Sequence, residues 1–192
     1  DSFEEFNMFT YKTLTAAALI AGLSAHALQA AENPMVGGAA MYADKNIVEN
    51  AVNSADHTTL VAAVKAAGLV ETLSGEGPFT VFAPTNAAFD MLQKGTVESL
   101  LQPENKDALT KVLTCHVVAA EAMADAIKTM IDDDGGSHPV PTVGGCTLQA
   151  TYDGDTIMLE DERGRTATVT IANVDQSNGV IHVIDTVLLP AQ

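Results

Sequence analysis

Phe79-Thr80-Val81-Phe82-Ala83-Pro84-Thr85-Asn86-Ala87-Ala88-Phe89 is the stretch on which the reading of this chain turns. The run Phe79 to Phe82 lies between the Gly77-Pro78 pair and Pro84, and a bounded apolar run of this kind suits a buried strand. Pro84 ends it, because proline has no N–H to give to a ladder. Thr85 or Asn86 then offers a side-chain oxygen to the first turn of a helix that points Phe89 and Leu92 inward. A strand that is apolar on both faces needs cover on both sides, so the segment predicts the interior of a layered domain.

A second run near the carboxyl end has the same character. Asn178-Gly179 supplies a turn, Val180-Ile181-His182-Val183-Ile184 is again apolar on both faces, and Asp185 and a short extended stretch from Val187 to Leu189 follow. Helical periodicity dominates the first half of the chain. Asp44 is read as the cap of a helix carrying Ile47, Val48, Ala51 and Val52, and Asp56 as the cap of one carrying Leu60, Val61 and Val64 that ends near Gly68. A helix from about Pro103 to Thr114 presents Leu109, Val112 and Leu113 and feeds an extended run, His116 to Ala119. Another, at about Ala122 to Ile131, ends in Asp132-Asp133-Asp134-Gly135-Gly136. From Pro139 the chain turns β-rich: Leu148 to Tyr152 and Thr156 to Leu159 flank Asp153-Gly154-Asp155, a strong hairpin signal, and Thr166 to Ile171 follows. Helices first and sheet later indicate the α+β class, without an internal repeat.

The 192 residues, 47% of them apolar, suffice for one globular domain. A formal charge of -16 repels phosphate backbones and anionic headgroups, which argues against nucleic acid and acidic membranes as partners. Lys12, the apolar stretch Leu14 to Leu23 and the small residues Ala27, Ala30 and Ala31 read as an export signal over 8–30, cleaved within 27–31. Met8 reads as the natural start and 1–7 as an added leader. Residues 31–43, with Pro34, Gly37 and Gly38, are expected to form a flexible arm before a domain over 44–190. The apolar stretch of the signal is too broken by Thr, Ser, His and Gln for a stable span after cleavage. Export places Cys115 and Cys146 in an oxidising compartment, where a bridge is expected.

Two segments resemble the paired hallmarks of the fasciclin (FAS1) family: Thr80-Val81-Phe82-Ala83-Pro84-Thr85-Asn86-Ala87-Ala88-Phe89 and Asn178-Gly179-Val180-Ile181-His182-Val183-Ile184-Asp185, the latter continuing to Leu188-Leu189-Pro190. Leu113-Thr114-Cys115-His116-Val117-Val118 is similar to the family's central Tyr-His segment, with cysteine at the tyrosine position. The resemblance implies a wedge of two β-sheets set against several helices, and a secreted, bacterial, single-domain adhesion or interaction protein. In animal relatives an Asn-x-Asp-Ile stretch and the Tyr-His segment are implicated in integrin binding. Here Asn173-Val174-Asp175 is similar, but Gln176 replaces the isoleucine, so integrin recognition is not expected.

His116 and His182 invite a metal reading, but both lie in apolar strands and are expected to be hydrogen-bonded core histidines. Asp185 is expected to be buried and to accept backbone donors from the first hallmark. Asp132, Asp133, Asp134 and His138 lack the ligand spacing of a calcium loop and read as a solvated helix end. Together with Asn173, Asp175 and Gln176 they form the candidate interaction surface. Arg163-Gly164-Arg165 reads as a turn. No nucleophile elbow, metalloprotease motif, phosphate loop or Cys-x-x-Cys is present, so no catalytic residue, metal or cofactor is assigned. The expected function is a periplasmic, secreted or cell-surface module, monomeric, that binds a protein or glycan. The alternative is a binder of an apolar small molecule such as a pigment, with Met91, Met123, Met130 and Met158 as candidate lining.

Overall fold

The computed structural model describes residues 32–191. The export signal and leader fall outside these residues. Strands β1 (Met35–Val36) and β2 (Ala39–Ala40) make a small hairpin, which corrects the expectation of a flexible arm. Val36 and Met41 are buried in the main core, so the arm is held by apolar contact although its sequence shows no periodicity.

Helix α1 (Ile47–Ala51) starts at Asn46, not Asp44. The Asn46 side chain accepts from the Glu49 amide while the Glu49 carboxylate accepts from the Asn46 amide, a reciprocal capping box that satisfies two orphan donors at once. Helix α2 (Thr58–Ala67) follows a short 3-10 turn, Ala55–His57, and Asp56 lies in that turn without capping the helix. Gly68, at φ +71°, closes α2 in the left-handed conformation that glycine adopts without steric cost. Helix α3 (Val70–Leu73) leads into β3 (Phe79–Pro84), and α4 (Asn86–Asp90) follows with Thr85 as its N-cap. Helices α5 (Thr96–Leu100) and α6 (Lys106–Thr114) precede β4 (Val117–Val118), and α7 (Ala124–Asp133) precedes β5 (His138–Pro141). Strands β6 (Thr147–Asp153) and β7 (Thr156–Glu160) form the expected hairpin, with Gly154 at φ +59°. β8 (Thr166–Gln176) and β9 (Gly179–Ile184) complete the chain. Val187 and Leu188 are buried without forming the expected strand.

Seven strands run in the order β4-β3-β9-β8-β7-β6-β5, with β3 and β9 parallel and the other pairs antiparallel. β8 joins the two wings of the wedge. Its first residues, Thr166 to Thr168, pair with β7, and from Val169 onward it pairs with β9 through two register shifts. Such irregularities increase local twist, which lets one strand serve both wings. The two hallmark runs are adjacent and in register, Val81 opposite Ile181 and Phe82 opposite His182.

The pleat then sorts their side chains. Val81, Ala83, Ile181 and Val183 face the main core under α1 to α4 and α6. Phe82 and Ile184 face a second core shared with Ile127 and Ile131 of α7 and with Leu148, Ile157 and Leu159. Cover on both faces is what the two unbroken apolar runs demand. Cys115 and Cys146 are disulfide-bonded with 5.4 Å between Cα atoms, tying the end of α6 to the start of β6. No described helix is long and apolar enough to cross a membrane.

Candidate functional site

The hallmark residues are engaged within the fold, mostly by segments outside the two runs. Thr80 Oγ1 donates to the Ala120 carbonyl and accepts the Ala122 amide at 2.9 Å, fixing the connection that leads into α7. The Thr85 amide donates to the Ile184 carbonyl, and Thr85 Oγ1 accepts the Ala88 amide at the start of α4. Asn86 stitches two helices: its Oδ1 accepts the Thr59 amide at 3.0 Å and its Nδ2 donates to the Ala55 carbonyl at 2.9 Å. Phe89 is buried in the main core.

In the second hallmark, Asn178 carries the lock that sequence reasoning assigned to Asp185. Its buried side chain accepts the Ile47 amide at 3.1 Å and donates to the carbonyls of Leu73 and Gly75 at 2.7 and 2.8 Å, and its own carbonyl accepts the Phe79 amide at 3.0 Å. Gly179 lies so close to Phe79 that a Cβ there would fall inside the Phe79 carbonyl. Asp185 is exposed and accepts from the Thr168 amide at 2.8 Å and the Thr186 hydroxyl, both outside the first hallmark. The end of β9 has already left the sheet's covered centre at this position, so its carboxylate needs no buried partner.

Among the described residues three histidines are buried, neutral and hydrogen-bonded through both ring nitrogens. His116 Nδ1 donates to the Val112 carbonyl at 2.8 Å and Nε2 accepts the Leu188 amide at 2.9 Å. Desolvation holds its pKa down at about 4. His182 Nε2 donates to the Ala122 carbonyl at 2.7 Å and Nδ1 accepts the Asn173 amide at 3.1 Å, while the ring stacks on Phe82 with centroids 5.7 Å apart. Its pKa is also lowered by burial. His57 was not singled out from sequence. Its Nε2 donates to the Ala83 carbonyl and its Nδ1 accepts from Ser54, and burial again lowers its pKa. His57 joins the 3-10 turn to β3, His116 joins the end of α6 to the segment after β9, and His182 joins β9 to β8 and to the connection before α7.

The candidate interaction residues do not form one group: Asp132, Asp133, Asp134 and His138 lie at the carboxyl end of α7, Asn173 meets its amino end about 15 Å away along the ten-residue helix, and Asp175 and Gln176 end β8. At the carboxyl end of the helix, Asp132 accepts from the Tyr152 hydroxyl at 2.6 Å, and this bond raises the Tyr152 pKa. Asp133 is exposed, and Asp134 meets His138 Nδ1 at 2.6 Å. Lys128, over the Tyr152 ring, pairs with Asp155 at 3.1 Å. At the amino end, Asn173, at φ +58°, accepts the Ala124 amide at 2.8 Å and caps α7 from a distance. Asp175 is exposed. Gln176 is buried and bonded to Asn50 and to the Val174 carbonyl, which takes its side chain off the surface.

Two features go beyond the sequence reading, in which Asp161-Glu162 beside Arg163 is only a charged turn. Asp161 is buried, and its carboxylate accepts the amides of Arg163, Arg165 and Leu189, each at 2.9 Å, with Arg165 Nε 3.5 Å away. Arg163 and Arg165 in turn donate to the carbonyls of Pro190 and Val187, so the charged turn clasps the end of the chain. The second feature is an apolar cavity of about 50 Å³ between α1, α2, α3 and the sheet. Val81, Ala83 and Ile181 form part of its floor, and Val48, Val61, Leu69 and Val70, all half-buried, stand toward its outer side. Met91, Met123, Met130 and Met158 do not line it. A chain pattern gives no sign of a void, because the same apolar periodicity fills a core or surrounds one.

The Fasciclin domain profile matches residues 55–190. The chain is 49% identical over 161 residues to Protein sll1483 of Synechocystis sp., covering 83% of this chain and 81% of that one. It is 34% identical over 167 residues to the cell surface glycolipoprotein MPB83 of Mycobacterium bovis, covering 84% of this chain and 68% of the relative. A solved FAS1 domain pair from the insect cell adhesion molecule Fasciclin I shares the fold, with TM-score 0.67 at 16% identity over 76% of this chain. This chain spans about half that structure, 51% of its length. With both hallmark runs paired at the centre of the sheet and most of the chain matched, the protein belongs to the Fasciclin domain family.

Proposed function

We propose that this protein is an exported, monomeric interaction module that binds a protein or glycan partner at the cell surface. The observation that carries this reading is the relationship to cell-surface glycolipoproteins over most of the chain. The site chemistry is consistent with it. Asn178, His116 and His182 are turned inward and engaged by partners within the fold. Function then falls to the surface, through complementary contact instead of turnover. The patch at the carboxyl end of α7, with Asp132, Asp133, Asp134, His138, Tyr152 and Asp155, offers anionic and aromatic groups close together. Adhesion of the labelled mature protein to envelope material of its own cells tests the reading, with a variant in which Asp132, Asp133 and Asp134 are asparagine. Specific adhesion that weakens in the variant and at high salt supports it. Absence of saturable adhesion overturns the module, and equal adhesion of both proteins overturns the patch.

The apolar cavity favours a second reading, the binding of an apolar small molecule. Coloured or solvent-extractable material carried by natively purified protein supports it.

A further inference from the structure

The cavity between α1, α2 and α3 has a polarity that selects among apolar ligands. Its deep end is closed by Val81, Ala83, Leu113, Val117 and Ile181, and the polar groups that reach it, on Ser54, His57 and His116, are already bonded to one another or to the backbone. No polar group is left there to receive a hydroxyl or amide in the interior. Among its lining residues only Lys65 carries a full charge, and Lys65 is exposed on α2 beside the half-buried Val61, Leu69 and Val70. Among the described residues Lys65 forms no ion pair, in a chain where acidic side chains outnumber basic ones by 25 to 9. An unpaired ammonium beside an apolar hollow on an otherwise acidic protein suits an anionic headgroup attached to an apolar tail.

Resting on the second reading above, we propose that the cavity takes a fatty acid, tail inward, with its carboxylate at Lys65. The room inside accommodates roughly four methylene-sized groups before the walls must move. The remainder of a longer chain lies along Val48, Val61 and Val70 on the way to the surface. A neutral lipid of equal length fills the same hollow but leaves Lys65 without its partner. A cationic amphiphile meets repulsion there.

The test is calorimetric titration of the mature protein with a series of linear carboxylates from butanoate to decanoate and with the matching alcohols. Affinity for the acids rises about fourfold per added methylene until the hollow is full and then levels off. Acids bind roughly two- to fivefold more tightly than alcohols of equal length, and Lys65→Gln, an exposed change on a helix, abolishes that difference. On the unaltered protein, methyl NMR signals of Val48, Val61, Leu69 and Val70 shift on binding while that of Ile157 in the second core does not. Ala51→Leu, which narrows the hollow, weakens all members of the series. An acid preference that survives Lys65→Gln overturns the headgroup assignment and leaves the apolar-ligand reading standing. No saturable binding of any member, or NMR shifts confined to other surfaces, overturns both.

Discussion

Acidification should unfold this protein through His116 in a way that can be isolated. The ring lies at 2% exposure with Nδ1 donating to Val112 and Nε2 accepting from Leu188, so the native state holds one neutral tautomer and has no lone pair or space for a second proton. An unfolded histidine titrates near 6.5, whereas here the value is about 4. Above 6.5 neither state is protonated and the contribution to stability is whole. As pH falls from 6.5 toward about 4 the unfolded chain takes up a proton that the native chain refuses, so stability declines. The full loss is about 3 kcal/mol, a large share of the roughly 5 to 15 kcal/mol that holds a typical domain together. Carboxylates titrate in the lower part of the same window, and relief of repulsion in a chain of charge -16 works in the opposite direction. Comparison with His116→Gln removes that common background. Urea unfolding followed by circular dichroism across the window should show the variant less stable at neutral pH, because a buried bridge is impaired, yet about 3 kcal/mol less sensitive to acid than the parent. Parallel stability curves for the two proteins would refute the account, as would a His116 ring that titrates by NMR near the ordinary value.

Asp161→Ala leaves three amides and the Arg165 guanidinium short of their acceptor and should cost about 3 kcal/mol in urea unfolding, with increased hydrogen exchange at Leu189; a loss under about 1 kcal/mol contradicts the clasp. Gly179→Ala drives a methyl into the Phe79 carbonyl where the two hallmark strands pair, and should cost about 3 kcal/mol or prevent folding, while Gly154→Ala, in an open hairpin turn at φ +59°, should cost about 1 kcal/mol; equal melting temperatures for the two variants would refute the close approach. Replacing both Cys115 and Cys146 with serine should lower stability by about 2 to 5 kcal/mol, measured against the oxidised parent in the same denaturant series, and no change would show that the bridge constrains nothing in the unfolded chain.

The parts of the fold legible in sequence are those where a local pattern and a tertiary need coincide. Two runs apolar on both faces had to lie at the centre of a covered sheet, and they pair with each other there. The Asp153-Gly154-Asp155 turn and the Gly68 helix end are dictated by backbone conformations within a few residues. What escaped was decided at long range. Asn86 and Asn173 cap helices that do not contain them, so α2 and α7 begin where no residue in their own sequence announces a cap. Asp185 and Asn178 are both polar residues beside an apolar run, and composition does not say which is inward; the difference is that Asn178 stands where the Ile47 amide and the Leu73 and Gly75 carbonyls converge, and an amide can serve a donor and acceptors together where a carboxylate cannot.

The same logic separates what identifies the family from what performs its work. Thr80, Asn86, His116, Asn178 and His182 each join segments far apart in the chain, and losing His116 or Asn178 leaves a buried partner unsatisfied at a cost of about 1 to 3 kcal/mol. Those residues are the most recognisable in the sequence because they have the fewest physical substitutes, and for that reason they have no free chemistry to offer a ligand. Groups with unused chemistry lie elsewhere: the Lys65 ammonium beside the hollow, and the exposed Asp133 at the end of α7. These positions are exposed, so changing them costs the fold little. A substitution that abolishes ligand or partner binding while leaving the melting temperature unchanged is therefore to be sought at Lys65 or Asp133, and not in either hallmark.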